Sequence, residues 1–163
     1  MSEPPIIVTE VADGAFFAAP IFRRKFNEDP PSFPHHLVTF YRESELSHVP
    51  LSYVHFRPFD EVMLVGGGCT DGRGFARMNE AEREHVRAGG GLLLHALRYG
   101  FARFADRCEA YFGYCGDARA YEVDMAAGFV PTRHRFLIAH WHRDLPDARR
   151  EELIAKVHAI GPF

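Results

Sequence analysis

Hydrophobic and polar positions change their period several times along this chain, and each change marks an element. Ile6 to Val11 is a short β-rich run and the first expected strand. From Asp13 to about Phe26 the apolar residues Phe17, Ile21, Phe22 and Phe26 recur at helical spacing, although Pro20 weakens that helix. Asn27 to Pro34 holds Pro30, Pro31 and Pro34 and reads as irregular. Leu37 to Arg42 is strand-like, and Leu51 to Pro58 alternates. Pro58 to Asp60 supplies turn chemistry, and Glu61 to Val65 is the return strand, running into Gly66-Gly67-Gly68-Cys69-Thr70-Asp71. These segments predict an antiparallel meander.

The period then becomes helical. Asn79 suits an N-cap for a short charged helix over Glu80 to Arg87. A longer helix is expected from about Gly90 to Arg107, with Leu93, Leu97, Phe101, Phe104 and Ala105 on one face and Arg98, Arg103 and Asp106 off it. Glu109 to Cys115 reads as a buried strand, and Ala118 to Ala127 as a helix ended by Gly128. Phe136 to Trp141 is the strongest late strand, and a last helix spans Asp147 to Ala159, stopped by Gly161-Pro162. The order predicts a mixed α/β (α+β) fold, one domain over residues 1–163 with a central sheet.

Composition adds exclusions. A formal net charge of −3 gives no overall electrostatic case for nucleic acid, and no run of 18 apolar residues calls for a membrane span. The first residues, Met1-Ser2-Glu3-Pro4-Pro5, lack the basic and apolar regions of a secretory signal. Three cysteines, Cys69, Cys108 and Cys115, form no C-x-x-C pair, which points to reduced thiols and a cytoplasmic protein.

Candidate chemistry concentrates at Val86-Arg87-Ala88-Gly89-Gly90-Gly91-Leu92. Glycines at the start of a helix let an anion approach backbone N–H groups that have no partner inside the helix; the bland alternative is a loop before a core helix. The ten histidines include His134, His140 and His142 at alternating parity, but no H-E-x-x-H or Cys/His cluster accompanies them, so no metal site is expected. Cys69 reads as a small buried hydrophobe. No Gly-Lys-Ser/Thr follows the glycine runs, and G-R-G-F-A-R lacks the third glycine of a dinucleotide fingerprint.

Three pieces together carry a family resemblance: the Tyr53–Val65 hairpin leading into G-G-G-C-T-D, the loop and helix R-A-G-G-G-L-L-L-H-A-L, and Y-F-G-Y-C-G-D-A-R-A-Y-E-V-D-M-A-A-G-F with its closing Gly-Phe. In order and spacing they resemble the GNAT (N-acetyltransferase) superfamily over roughly Ile6 to Trp141. The resemblance implies a mostly antiparallel twisted sheet flanked by helices. It also implies acetyl-CoA or another acyl-CoA as co-substrate, and a small-molecule or protein amine as acceptor. By that analogy Arg87, Ala88, Gly89, Gly90 and Gly91 would hold the pyrophosphate, and the backbone of Cys69, Thr70 and Asp71 would orient the thioester. Glu61 or Asp71 would be the base, Tyr121 the acid, and His55 a residue of the acceptor pocket. The tyrosine that often protonates the leaving thiolate in the family stands four residues before the Gly-Phe glycine; here that position is Asp124. The runner-up reading is a non-catalytic acyl-CoA sensor on the same fold. Pairing through the C-terminal strand offers a route to a homodimer.

Overall fold

The computed structural model describes residues 4–163. The elements in chain order are β1 (Ile6–Val11), α1 (Gly14–Phe26), β2 (His35–Arg42), β3 (His48–Phe59), β4 (Val62–Thr70), α2 (Gly72–Phe75), α3 (Glu80–Ala88), α4 (Leu92–Phe104), β5 (Ala110–Tyr114), α5 (Ala118–Ala127), β6 (Val130–Pro131), β7 (Leu137–His140) and α6 (Asp147–Ala159). One sheet has the order β1-β2-β3-β4-β5-β7-β6. Every neighbouring pair is antiparallel except β4 with β5, which run parallel over Val62↔Ala110 to Val65↔Gly113. The periodicity predicted the meander and one central sheet in a mixed fold, and the GNAT resemblance implied that the sheet is mostly antiparallel; both are observed.

Alternation along the central strands sends side chains to two layers. Met63 and Val65 on β4, Tyr111 on β5 and Val54 and Phe56 on β3 pack with Leu97, Phe101 and Phe104 of α4. Val62, Leu64, Ala110 and Phe112 face the other way, onto Leu153, Ile154 and Val157 of α6. Tyr53 shares that second face but packs under α1, with Ala18, Ile21, Phe22 and Cys69. The sheet is therefore covered by α4 and α5 on one side and by α1 and α6 on the other. Gly100 lets α4 come close, since a Cβ there would stand 2.2 Å from the Phe56 ring.

Local chemistry sets the helix boundaries. Asn79 and Glu82 form a reciprocal capping box at α3: Asn79 Oδ1 accepts from the Glu82 amide and Glu82 Oε2 from the Asn79 amide, both at 2.9 Å. Asp13 caps α1 by accepting from the Phe16 amide. The helix continues through Pro20, which is exposed, because Gly14, Ala18, Ile21 and Phe22 form a buried stripe that outweighs one lost hydrogen bond. Gly128 ends α5 with φ +110°. Two departures from the expected boundaries bear on the site. β4 does not stop at Val65 but continues through three glycines to Thr70, and the short α2 follows it. α4 begins at Leu92, because Gly90 and Gly91 adopt φ +95° and +90°.

Candidate active site

The parallel pairing of β4 and β5 ends at Val65 and Gly113. Past that point β4 runs on for five more residues while β5 ends at Tyr114. β4 keeps its antiparallel pairing with β3, through His55↔Gly66, Tyr53↔Cys69 and Ser52↔Thr70, with an irregularity between Tyr53 and His55. Gly67 sits in that irregularity at φ +66°, where a Cβ would stand 2.7 Å from the His55 ring and 2.9 Å from Phe22. Only glycine meets both conditions. The Asp71 amide donates to the Leu51 carbonyl at 2.6 Å. By antiparallel alternation the neighbouring backbone groups, those of Thr70 and Gly68, point to the open side.

The gap between the two strands is a cleft of about 950 Å³, part of it open to solvent. Val65, Gly66, Gly67 and Gly68 line one wall and Gly113, Tyr114, Cys115 and Gly116 the other. Leu93, Leu97, Asp124 and Phe129 line its α4 side, and Lys25, Phe26 and Phe163 the opposite side. The opening therefore passes through the sheet. It continues into a second hollow lined by Gly68, Cys69, Thr70, Gly90, Gly91, Leu92, Leu93, Arg119 and again Lys25.

The second hollow lies at the start of α4. No side chain caps that helix. The amides of Gly89, Gly90 and Gly91 are already spent on the carbonyls of His85, Arg87 and Val86. The backbone donors left at this terminus are therefore those of Leu92, Leu93 and Leu94, one turn later than the glycine run itself. The glycines shape the approach: a Cβ on Gly90 would stand 2.1 Å from Leu94 Cδ2. Arg119 and Lys25 add positive charge at the wall, and Lys25 Nζ reaches Asp117 Oδ2 at 3.2 Å, bridging α1 to the N-cap of α5. Uncapped amides, a helix N-terminus and Arg119 make this end of the hollow positive, while Asp117, which also lines it, neutralises Lys25.

The residues expected to carry the chemistry are distributed unevenly. Cys69, Thr70, Gly90 and Gly91 line the hollow. Cys69 is buried, and desolvation pushes its thiol up to about 12. Arg87 and Ala88 belong to the last turn of α3; the Arg87 guanidinium binds Glu80 at 3.1 Å and lies over Phe75, and it lines a neighbouring hollow together with Thr70, Asp71, Gly91 and Leu92. Gly89 caps that helix. Asp71 caps α2 through the Arg73 amide at 3.0 Å, and its other oxygen holds Arg24 at 2.6 Å. Both carboxylate oxygens are thus engaged.

Glu61 is not brought into the opening. It precedes β4 at the end where the sheet is closed, and its carboxylate binds Lys156 at 2.7 Å and Arg149 at 3.0 Å. The Lys156 hydrogen bond first, then the Glu61 backbone, keep its carboxyl below the usual range. Tyr121 packs on the cluster around α4 and is absent from the cleft wall. Asp124, one turn later on α5, is in the wall. Burial raises its pKa from the ordinary aspartate value, against a lowering contribution from the neighbouring Cys115. The helix thus presents the expected position to the cleft, with a carboxyl group in place of a phenol. His134, His140 and His142 do not converge: His134 stacks on His158, while His140 and His142 donate to the Gly128 and Ala105 carbonyls.

No family model and no curated protein matches this chain. Solved structures do. The ribosomal-protein-S5-alanine acetyltransferase of Vibrio fischeri aligns with 90% of this chain and 98% of its own, at TM-score 0.56 and 11% identity. A GNAT family acetyltransferase of Brucella melitensis, solved with acetyl-CoA, aligns over 88% and 93%, at TM-score 0.52 and 12% identity. The catalytic domain of Tetrahymena GCN5 histone acetyltransferase, solved with coenzyme A, aligns over 87% and 95%, at TM-score 0.52 and 13% identity. This chain has the GNAT acetyltransferase fold. A further neighbour, from Pyrococcus horikoshii, is longer: 81% of this chain matches 46% of that one, at TM-score 0.55. Among the described residues no helix is long and apolar enough to cross a membrane.

Proposed function

We propose that this GNAT-fold protein transfers an acyl group, most simply acetyl, from coenzyme A to the amine of a small molecule or protein. One observation carries the reading: a through-sheet cleft opens where β4 and β5 part, and it is continuous with an uncapped helix terminus flanked by two cations. An acyl-CoA is an elongated molecule in which a doubly charged pyrophosphate separates a 3′-phosphorylated adenosine from a neutral, amide-bearing arm that ends in the thioester. The two joined hollows match that order.

The amides of Leu92, Leu93 and Leu94 would bind the pyrophosphate, helped by Arg119 and by Lys25 once released from Asp117. The outward backbone groups of Gly68 and Thr70 would pair with the amide-bearing arm of the cofactor, supplying the strand partner that β5 no longer provides. Asp124 stands in the cleft wall, its pKa raised by burial, and in its protonated form would donate to the departing thiolate. Burial by Phe129, Leu97 and Val65 keeps water from competing with the amine.

Isothermal titration with acetyl-CoA tests the binding half. Release of free thiol in the presence of a panel of primary amines tests the transfer half. Binding with amine-dependent release is expected. Binding with no release for any amine would favour the acyl-CoA sensor, and no binding would overturn both.

A further inference from the structure

The cleft between the parted strands has two ends, and they differ in chemistry. Toward α4 it runs into the hollow at the uncapped helix terminus. The end on the α1 and α6 side is rimmed by rings. Phe26 from α1, Tyr114 from β5 and Phe163 beyond α6 all line it. Tyr114 and Phe163 pack on the α6 face of the sheet, with ring centroids 6.2 Å apart. Phe136, from the turn before β7, adds a fourth ring 5.9 Å from that of Tyr114. It also meets the glycine wall, since a Cβ on Gly116 would stand 3.9 Å from it.

These rings are not a closed core. Phe26 and Phe136 are 39% and 37% exposed, and Gly116 between the strands is exposed as well. Most large apolar side chains of this chain are withdrawn from water, so rings from four separate stretches left open at one cavity mouth are informative. A mouth of this kind offers faces and edges to the ring of a ligand, in the offset or edge-on contacts that aromatic groups prefer.

The charges at this mouth narrow the ligand further. Two acids stand in the cleft wall, Asp117 and Asp124, and Asp124 belongs to the α4 side. Asp117 has no oxygen to spare: Oδ2 holds Lys25 Nζ at 3.2 Å, and Oδ1 accepts from the Arg119 and Ala120 amides at 2.9 and 3.0 Å. The cations are Lys25 in the wall and Arg135, whose guanidinium lies 4.5 Å over the Phe136 ring. A ligand with several ammonium groups would meet like charges here and no open carboxylate.

We propose that this end of the cleft receives the acceptor, and that the acceptor is a small primary amine carried on an aromatic body, an arylalkylamine, held against Phe26, Tyr114 and Phe163. This rests on the acyl-transfer reading above. With the acyl-CoA entering by the α4 hollow, its thioester reaches the parted strands from one side and leaves the ringed mouth to the amine. The amine nitrogen then forms its bond to the thioester carbon as the C–S bond breaks. The proton that the nitrogen loses is balanced by the one the sulfur gains, so N-acyl amine and free coenzyme A are the only products.

Two measurements test the acceptor class. In saturation-transfer NMR without any cofactor, the ring protons of 2-phenylethylamine are expected to receive magnetisation from the wild type, and to lose most of it in Phe26→Ala combined with Phe163→Ala. No transfer from the wild type would overturn the proposal, whatever else the protein binds. In the thiol-release assay at equal free-base concentration, kcat/KM for 2-phenylethylamine should exceed that for ethylamine by at least about 10-fold, with spermidine poorer still. That ratio of phenylethylamine to ethylamine should fall at least about fivefold in the double variant. A ratio near one in the wild type, a preference for spermidine, or an unchanged ratio in the variant would refute the aromatic assignment while leaving acyl transfer in place. A wild type that contacts 2-phenylethylamine but fails to bind acetyl-CoA would refute the acyl-transfer reading and confirm the ringed mouth as a site for such amines.

Discussion

The two ends of β4 are built from the same strand and do opposite things. At the Glu61 end the strand lies between β3 and β5 in an unbroken sheet, and the first carboxylate is locked between Lys156 and Arg149. Arg149 also binds Glu109, at the start of the parallel partner, at 2.8 Å, so the charges there fasten α6 to both central strands. At the Gly66 end β5 has left, side chains are withdrawn to hydrogen, and the unpaired backbone faces a cleft. An ionised carboxylate with all its partners is a fastening; the Asp124 carboxyl instead stands in the cleft wall with its pKa raised by burial. Chemical type alone does not separate the two, but position along the strand does.

The sharpest way to test that contrast is to alter one carboxyl group at each end. Asp124→Asn, which keeps the volume but cannot give up a proton, is expected to lower the rate of thiol release by about 100-fold or more, with acetyl-CoA affinity little changed. Rapid-quench kinetics at saturating acetyl-CoA would read this. A rate within threefold of wild type would remove Asp124 from the chemistry. At the anion end of the cleft, Lys25→Ala combined with Arg119→Ala should weaken acetyl-CoA binding about 30-fold or more, the loss of two charge-assisted contacts. Titration at rising salt should show a shallower salt dependence for this variant than for wild type.

Gly90→Val sharpens the contrast differently. Its φ of +95° and the Leu94 side chain in the way will cost stability, about 1–3 kcal/mol by thermal unfolding. Because α4 must shift at the terminus that offers its amides, binding of acetyl-CoA should fall by more than that cost alone implies. Glu61→Gln should do the reverse, with full binding and a loss of about 1 kcal/mol. The Glu61 pKa is held below its unfolded value, so this stabilisation is present above about pH 4.5 and is lost as the pH falls through the lower folded value. Acid unfolding of Glu61→Gln should therefore show less pH dependence in that window than the wild type.

Much of this was legible in the sequence. Asn79 and Glu82 announced α3, Gly128 ended α5 where expected, and the meander from Leu37 to Val65 appears as β2, β3 and β4. These are local signals, caps and periods, which neighbouring residues largely decide. The GNAT-like order of elements followed from them. The site was less legible because it depends on what is far apart in sequence. Gly89 to Gly91 looked like free donors, but their amides bond within the turn, and the open ones belong to three leucines. Glu61 looked like a base until α6, some 90 residues later, supplied its cations. Asp124 was recognised only as a departure from a tyrosine, and its burial beside Cys115 is a tertiary fact. His55 was placed in the acceptor region, but the register of β2 on β3 buries it beside Tyr53 and His36, outside the cleft wall.

Isothermal titration of the purified protein with acetyl-CoA, with desulfo-coenzyme A as control, tests the central claim most directly. Micromolar binding of both, abolished or strongly weakened by Lys25→Ala with Arg119→Ala, is the expected result. Absence of heat for both ligands would mean that the parted strands and the uncapped α4 hold something other than an acyl-CoA.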